Sequence, residues 1–493
     1  MQTFHNRPVL QAWQTAVQEE TRTRPWLTSF LLRQSPHLFT RFTNYYQQLL
    51  AAPRKVRRQL GAGLATAALL LALSSAPAHA ATITVTPNSS GIANNGRCSL
   101  VEAIINANNN AATHTDCAAG SGADTIVLAG NTYTYTATFG TYAALPDITT
   151  NITIEANGAT ILRDNSAPNM RLIRVSAAGT LTLNNATMTG GNTILASGAG
   201  LSNLGTTTLN NSTITGNTTN GRGGGIFNSG TLVLTNSTIS GNTSNNLGGG
   251  IYDYTGTTTL TNSTITGNSA TTSGGGIYNR NSTISLLHTI ISGNLSPAGS
   301  EAARNTSLAG TILTLNHNVL GHSGLTNAQA FSGFTPSGTD ITATSDGTTP
   351  TTLASILNTT LADNGGPTFT HALVTGSPAI DIISSGGAGC ILDTSTDQRG
   401  GVRGSGANRG DGACDAGAYE FNSNQIPTAV TNLLTQTTSQ DPPPPFSPCW
   451  LPCWPLSAGC ASGDGGREQG SRGVGLTTSP KPQGFPKPLG LFV

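Results

Sequence analysis

A phrase of six residues recurs in the middle of the chain: STITGN at 212–217, STISGN at 237–242, STITGN at 263–268 and TIISGN at 289–294. A second phrase, GGGI followed by an aromatic residue, keeps the same spacing at 223–227, 248–252 and 274–278. Both phrases return every 25 or 26 residues. A fixed period of this length is typical of solenoid proteins, in which each repeat forms one turn.

Each repeat contains three short segments in which apolar residues alternate with threonine, serine or asparagine. In the segments 257–260 and 263–265, alternation directs Leu260 and Ile265 inward, as in half-buried strands. Threonine is β-branched and favours strands, while glycine and asparagine tolerate the left-handed backbone of sharp corners. Three strands and three corners per repeat predict an all-β fold, a parallel β-helix with coils of about 25 residues.

Stacked coils place equivalent residues about 4.8 Å apart, so that they form ladders. The spacing predicts two apolar ladders in the core and one ladder of hydrogen-bonded amides: Ile214, Ile239, Ile265 and Ile291; Leu201, Ile226, Ile251 and Ile277; Asn217, Asn242, Asn268 and Asn294.

Ladders also account for the scarcity of charge, since a charged residue would stack on its like. Charged residues make up 9% of the chain, and between Val175 and Ser300 only Arg222, Asp253 and Arg280 occur. Residues 81–421 hold ten arginines, no lysine and seventeen acidic residues, which argues against a nucleic-acid partner.

Both ends of a solenoid need covering. Ser99-Leu100-Val101-Glu102 is a capping-box sequence that predicts a short amphipathic helix over 99–108, lying on the first coil. Residues 363–421 lose the repeat, gain charge and predict a compact C-terminal cap. We expect one disulfide in each cap, joining Cys98 to Cys117 and Cys390 to Cys414.

The N-terminal region has the pattern of an export signal. A basic cluster at 54–58 precedes an apolar run at 60–73 and the small-residue motif Ala78-His79-Ala80, which predicts secretion and cleavage after Ala80. The alternative is an uncleaved membrane anchor, although the run is shorter than a membrane span. The predicted organisation therefore has five parts. They are an overhang with the export signal at 1–80, an N-terminal cap at 81–124, the β-helix at 125–362 (most regular at 175–300), a C-terminal cap at 363–421 and a proline-rich disordered tail at 422–493.

Three stretches carry a family resemblance. RCSLVEAIINAN at 97–108, with GADTIVL at 122–128, resembles the CSLREA domain of secreted bacterial proteins, with Val101 in place of the usual arginine. NGGPTFTHAL after Asp363, the sequence DQRG at 397–400 and CDAGAYEF at 414–421 resemble the choice-of-anchor Q domain. The GGGI and STISGN phrases are similar to polymorphic outer-membrane-protein repeats. The resemblance covers 81–421 and implies a right-handed β-helix that is secreted or attached to the cell surface, with no known reaction.

Catalysis on acidic polysaccharides requires clustered carboxylates, as calcium ligands or as an acid–base pair. The regular coils hold one carboxylate, Asp253, and no Asp-Asp pair occurs. The sequence therefore favours a structural, adhesive or glycan-contact role without a catalytic site or a required cofactor. The alternative is a carbohydrate-active enzyme of the pectate-lyase-like superfamily, a polysaccharide lyase or glycoside hydrolase, with a site near Asp253 or within 301–362.

Two groups of residues are candidate binding sites. Phe227, Tyr252 and Tyr278 recur at one outward ladder position beside Tyr254, and they either dock sugar rings or stack on one another and shield the sheet. Asp397, Asp415 and Glu420 form either an internal ion-pair network with arginine or a calcium site. His317 and His322 lie close in sequence but lack a matching carboxylate. The expected partners are extracellular glycans or cell-surface components, with membrane contact only through the export signal.

Overall fold

The computed structural model describes residues 80–421 except 90, 195, 387–389, 392–394 and 405–412. The export signal with Ala78 and the tail 422–493 with its three cysteines lie outside the described residues. Within them the chain forms a β-solenoid of about eight turns, which confirms the predicted parallel β-helix.

Most turns contribute a strand to each of three long parallel sheets, here called sheets I, II and III in the order in which a turn visits them. Sheet I consists of β1 (Thr82–Thr84), β2 (Asp124–Val127), β4 (Asn151–Glu155), β7 (Thr180–Asn184), β11 (Thr206–Asn210), β15 (Thr231–Thr235), β19 (Gly256–Thr261), β23 (Ser282–Leu287) and β26 (Thr311–Asn316). Sheet II consists of β3 (Thr132–Tyr135), β5 (Thr160–Arg163), β8 (Thr187–Thr189), β12 (Thr213–Thr215), β16 (Thr238–Ser240), β20 (Thr264–Thr266), β24 (Ile290–Ile291), β27 (Val319–Leu320) and β29 (Ile341–Thr342).

Sheet III begins one turn later, and a short corner sheet joins sheet II to it in the regular coils. Sheet III consists of β6 (Ile173–Val175), β10 (Leu201–Asn203), β14 (Ile226–Asn228), β18 (Ile251–Asp253), β22 (Ile277–Asn279), β25 (Ala302–Arg304) and β28 (Phe331–Ser332). The corner sheet consists of β9 (Asn192–Thr193), β13 (Thr218–Thr219), β17 (Thr243–Ser244) and β21 (Ser269–Ala270).

Strand register confirms the predicted apolar ladders. Ile214 pairs with Ile239, and Ile239 with Ile265, in successive strands of sheet II. In sheet III, Ile226 pairs with Ile251 in the same way. All eight residues of the two apolar ladders are fully buried in one continuous core. Because apolar burial is the main favourable term in folding, these ladders hold the coils together.

The predicted asparagine ladder is also present. The Nδ2 atoms of Asn217, Asn242 and Asn268 each donate to Oδ1 of the next asparagine at 2.9 Å. Asn294 Nδ2 then donates to Glu301 Oε2 at 2.7 Å, so a carboxylate ends the row. Burial raises the pKa of Glu301 to about 7, although the hydrogen bonds that it accepts oppose the shift.

A second row of residues turns the chain from sheet I to sheet II. One residue per coil occupies the left-handed region there, which asparagine tolerates better than most side chains. Their φ angles lie between 45° and 56°, and the row consists of Asn157, Asn185, Asn211, Asn236, Asn262, His288 and His317.

The N-terminal cap agrees with its prediction. Helix α1 (Leu100–Asn109) begins with a capping box in which Ser99 and Glu102 each accept from the other's backbone. Its residues Leu100 and Ile104 are fully buried in the main core. The predicted disulfide between Cys98 and Cys117 fastens the segment that follows the helix.

The C-terminal end of the solenoid is covered by residues that precede the predicted cap. Helix α2 (Asn327–Ala330) leads into β28, where Phe331 is buried in the main core together with Leu320. Phe334 packs against the same core. A further short helix, α3 (Leu353–Ile356), leads into the C-terminal cap.

The C-terminal cap is present with its disulfide, Cys390 to Cys414, and with a short antiparallel pair of strands, β30 (Ile383–Ser384) and β31 (Ala413–Cys414). It lies along the outer face of sheet II rather than across the open end. Thr213 donates to the Phe369 carbonyl, and the Ala418 N–H donates to Thr264.

Two features of sheet II explain this position. In the late coils Ile290 and Val319 face outward from the sheet, and the cap buries both in a second apolar cluster. In the earlier coils threonines face outward, and the buried Gln398 accepts from Thr238 at 2.6 Å and donates to Thr213 at 2.8 Å. The cap therefore buries the apolar residues and hydrogen-bonds to the threonines of an outer face that is neither charged nor uniformly polar.

The glycine-rich phrase allows consecutive coils to approach closely. A Cβ atom on Gly249 would lie 2.4 Å from the carbonyl oxygens of both Gly275 and Ser269. We therefore expect Gly249→Ala to lower the free energy of unfolding by about 2 kcal/mol or more, as overpacked sites do.

Urea denaturation followed by circular dichroism measures this effect. Gly338→Ala is the matched control, because no atom lies within 4 Å of a Cβ placed there. We expect the control to be neutral or slightly stabilising. Equal effects of the two substitutions would contradict the close-approach explanation.

Candidate functional site

The outer face of sheet III carries most of the aromatic and cationic side chains of the regular coils. Its register places Arg174, Ser202 and Phe227 in one outward row. Tyr252 and Tyr278 continue this row in the next two coils. Sheet II also pairs an aromatic with a cationic residue, Tyr135 with Arg163, but both are buried, so the outward row of sheet III is the candidate site.

The aromatic residues of this row stack on one another. The ring centroids of Phe227 and Tyr252 lie 5.8 Å apart, and those of Tyr252 and Tyr278 lie 5.6 Å apart with planes only 2° from parallel. Tyr252 is 1% exposed, so its ring faces are closed to a ligand. The geometry therefore favours the shielding interpretation for Tyr252, while Phe227, Tyr254 and Tyr278 stay partly exposed.

Two arginines lie against this stack. The Arg222 guanidinium is 5.5 Å from the ring centre of Tyr252, and the Arg280 guanidinium is 4.3 Å from that of Tyr254. Burial raises the pKa of the Tyr252 hydroxyl, and the charges of both arginines oppose that shift. Each contact is a cation–π interaction.

A cleft of about 450 Å³ opens at the N-terminal end of the same face. Its walls include Phe139, Tyr142, Asp147, Arg171 and Arg174. Phe139 packs on the main core, whereas Tyr142 is 50% exposed. Beyond Tyr142 lies a smaller hollow of about 220 Å³.

Backbone pairing between successive coils positions the charged residues of the cleft. The bridge of Ile148 with Val175 sets Asp147 beside Arg174, and their side chains form an ion pair. Arg171 is fixed by its backbone, which donates to the Tyr142 carbonyl at 2.9 Å. The cleft thus holds Arg174, whose charge is balanced by Asp147, and Arg171, which is not part of that ion pair.

Sequence reasoning missed this cleft because it searched for clustered carboxylates, whereas the cleft is cationic. Two arginines stand three residues apart, at 171 and 174, immediately before the charge-poor stretch that begins after Val175. That pair is the signal by which the cleft could have been found. The residues of its other wall, Phe139 and Tyr142, lie in an irregular segment with no periodic signal.

The predicted calcium ligands lie together, but their carboxylate oxygens already accept hydrogen bonds from donors of the protein. Asp397 Oδ1 accepts from the backbone N–H groups of Arg399 and Gly401, each at 2.9 Å. Asp397 Oδ2 accepts from the Arg399 guanidinium and from the Glu420 N–H. All of these residues except Gly401 are at most 3% exposed.

The other two carboxylates are engaged in the same way. Asp415 accepts from the backbone N–H groups of Asp381 and Phe421. Glu420 accepts from Arg403 at 3.1 Å and from two backbone N–H groups. Burial, with the nearby Glu420 charge second, raises the pKa of Asp415 to about 7. These contacts favour the ion-pair interpretation, and the described residues contain no group of three side chains suited to a metal.

The remaining candidates are scattered. The His317 ring lies 6.0 Å from that of His288 rather than beside His322, whose Nε2 is 3.9 Å from Glu301 Oε1. Asp253 is fully buried in an asparagine row, so it is not accessible to a substrate.

No protein-family model matches the chain, and comparisons with curated proteins and with solved structures return no match. Among the described residues, no helix is both long and apolar enough to cross a membrane.

The ion-pair interpretation predicts how the cap responds to calcium. Because protein donors occupy the carboxylate oxygens, we expect neither Ca²⁺ nor a chelator to shift the thermal unfolding midpoint. A midpoint that rises with Ca²⁺ concentration would show binding to the folded state and would restore the calcium interpretation.

Asp397→Asn separates the two interpretations further. We expect it to cost about 3 kcal/mol or more at any Ca²⁺ concentration, because it removes the negative charge that faces the buried Arg399 guanidinium. The exposed Asp363→Asn is the matched control, with an expected effect within about 0.5 kcal/mol.

Proposed function

We propose that this protein is a secreted or cell-surface β-helix protein that contacts glycans through the outer face of sheet III. The observation that carries the proposal is the cleft, where two aromatic residues and two arginines surround about 450 Å³. Concave sites with apolar walls and a few fixed polar groups are the usual form of small-ligand sites.

The aromatic residues of the cleft suit a sugar ring. Half of the Tyr142 side chain is exposed between the cleft and the neighbouring hollow, so a ring has access to it from either cavity. Its apolar ring suits the C–H face of a sugar, and its hydroxyl suits the sugar's hydroxyl groups. Tyr278 and Tyr254, farther along the face, offer additional exposed edges.

Export and the family resemblance belong to the same proposal. The signal-like N-terminus and the resemblance to CSLREA and choice-of-anchor Q proteins support an extracellular or surface location. Two disulfides within the described residues are consistent with folding in an oxidising compartment.

The enzymatic alternative finds one point of support in the cleft, the carboxylate Asp147. Glycoside hydrolysis uses two carboxyl groups, one as acid and one as base or nucleophile. Among the described residues Asp147 is the one carboxylate that lines the cleft, and Arg174 pairs with it. A binding role fits these residues better than hydrolysis.

A glycan array with the full chain tests the proposal, and Tyr142→Ala is the informative variant. We expect bound glycans to lose affinity roughly ten-fold in this variant, since an exposed aromatic contact is removed without disturbing the core. Phe369→Ala is the matched control, because Phe369 is a 47% exposed aromatic residue on the C-terminal cap.

Absence of glycan binding, or equal binding by wild type and Tyr142→Ala, would contradict the proposal. Release of unsaturated products or new reducing ends from acidic polysaccharides would establish the enzymatic alternative instead.

A further inference from the structure

The cleft carries an excess of positive charge. Arg171 and Arg174 both line it, and Asp147 is its one acidic wall residue in the described part of the chain. The Asp147 carboxylate is already engaged, since it forms an ion pair with the Arg174 guanidinium. The charge of Arg171 therefore lacks an acidic partner of its own.

The backbone of Arg171 is fixed at the wall of the cleft. Its N–H donates to the Tyr142 carbonyl at 2.9 Å, and its carbonyl accepts from Ala144 at 2.8 Å. The backbone is thus tied on both sides to the strand-like segment of the preceding coil.

Within the described residues, the Arg171 guanidinium makes no hydrogen bond and no ion pair. Burial lowers the pKa of Arg171, and the neighbouring Arg174 lowers it further, while Asp147 opposes both effects. A partly buried cation without a partner is costly, and an anionic ligand would remove that cost. The cleft thus points to a ligand with negative charge.

The chemistry of arginine narrows the ligand further. The planar guanidinium presents donors in a fixed fork that matches the paired oxygens of a carboxylate or a sulfate. Tyr142 and Phe139 line the same cleft and offer apolar surface beside this fork. A ligand that combines an anionic group with a ring fits both walls.

We propose that the cleft binds an acidic sugar of the recognised glycan, with Arg171 donating to its carboxylate or sulfate and Tyr142 packing against its ring. This inference rests on the proposed glycan-contact function and specifies the substrate class of that site. The small hollow beyond Tyr142, lined by Asn169, Thr193 and Ile194, accommodates a neighbouring neutral sugar.

The surroundings of the site favour a saccharide that runs along the solenoid. Arg174 belongs to the outward row that continues to Phe227 and Tyr252, and coils are spaced by about 4.8 Å. Arg222 lies against Tyr252 of this row, and Arg280 lies against the adjacent Tyr254. Further acidic sugars along the chain therefore meet further arginines.

Isothermal titration with oligosaccharides of equal length tests the inference. The probes are an oligomer of uronic acid, a sulfated oligomer and their neutral counterpart, and the protein is the full chain. We expect one acidic probe to bind at least ten-fold more tightly than the neutral one, which identifies the carboxylate or the sulfate as the recognised group.

Arg171→Gln assigns the preference to this residue. We expect it to weaken acidic binding roughly ten- to hundred-fold, as loss of a charged hydrogen bond does, and to weaken neutral binding much less, so that the preference for the acidic probe falls. Arg97→Gln removes an exposed arginine elsewhere and is the matched control. If Arg171→Gln unfolds at a lower temperature than wild type, Arg171→Lys serves in its place. It retains the charge without the forked guanidinium donors, and we expect it to bind acidic probes with intermediate affinity.

The outcomes separate the two claims. Equal binding of acidic and neutral probes, unaffected by Arg171→Gln, overturns the acidic-sugar inference and leaves glycan contact standing. Failure of every saccharide probe overturns both. Binding of a poly-glutamate peptide as tight as that of the acidic sugars overturns the assignment to a saccharide.

Discussion

The structure depends on a single geometric constraint, the stacking of each residue on its equivalent in the next coil. The spacing of about 4.8 Å between coils lets apolar side chains form continuous ladders and lets amides donate to one another. It excludes repeated charge, because like charges would face each other at that distance. The fully buried isoleucine ladders and the row from Asn217 to Glu301 are the two results of this constraint.

Functional groups are accordingly concentrated where the repetition is interrupted. The cleft with Arg171 and Tyr142 lies among the early, irregular coils, where successive turns differ in length and sequence. The ion pairs of Asp397 and Glu420 lie in the non-repetitive C-terminal cap. In the regular coils, arginines are tolerated as single residues packed on aromatic rings.

The sequence allowed the repeating features to be predicted, because periodicity determines which residues stack. The coil length, the ladders, the capping helix and both disulfides agree with those predictions. Contacts between residues that do not repeat leave no such signal in the sequence. The contact of Gln398 with Thr213 joins residues 185 positions apart, so the position of the cap along sheet II could not be inferred. The cleft depends on the shape of irregular segments, and the burial of Tyr252 depends on ring geometry.

Asp253 offers the most direct test of the constraint, because it stands in a row of buried asparagines. Its Oδ1 accepts from Asn228 at 3.1 Å, and burial raises its pKa although hydrogen bonds from neighbouring side chains oppose the shift. The raised pKa means that the folded state keeps this proton to higher pH than the unfolded state, so ionisation lowers stability as pH rises.

The decisive measurement is the free energy of unfolding of Asp253→Asn and wild type across acidic and neutral pH. The account predicts that the variant is more stable at neutral pH and that its advantage shrinks in acid. A variant less stable than wild type at neutral pH would contradict it.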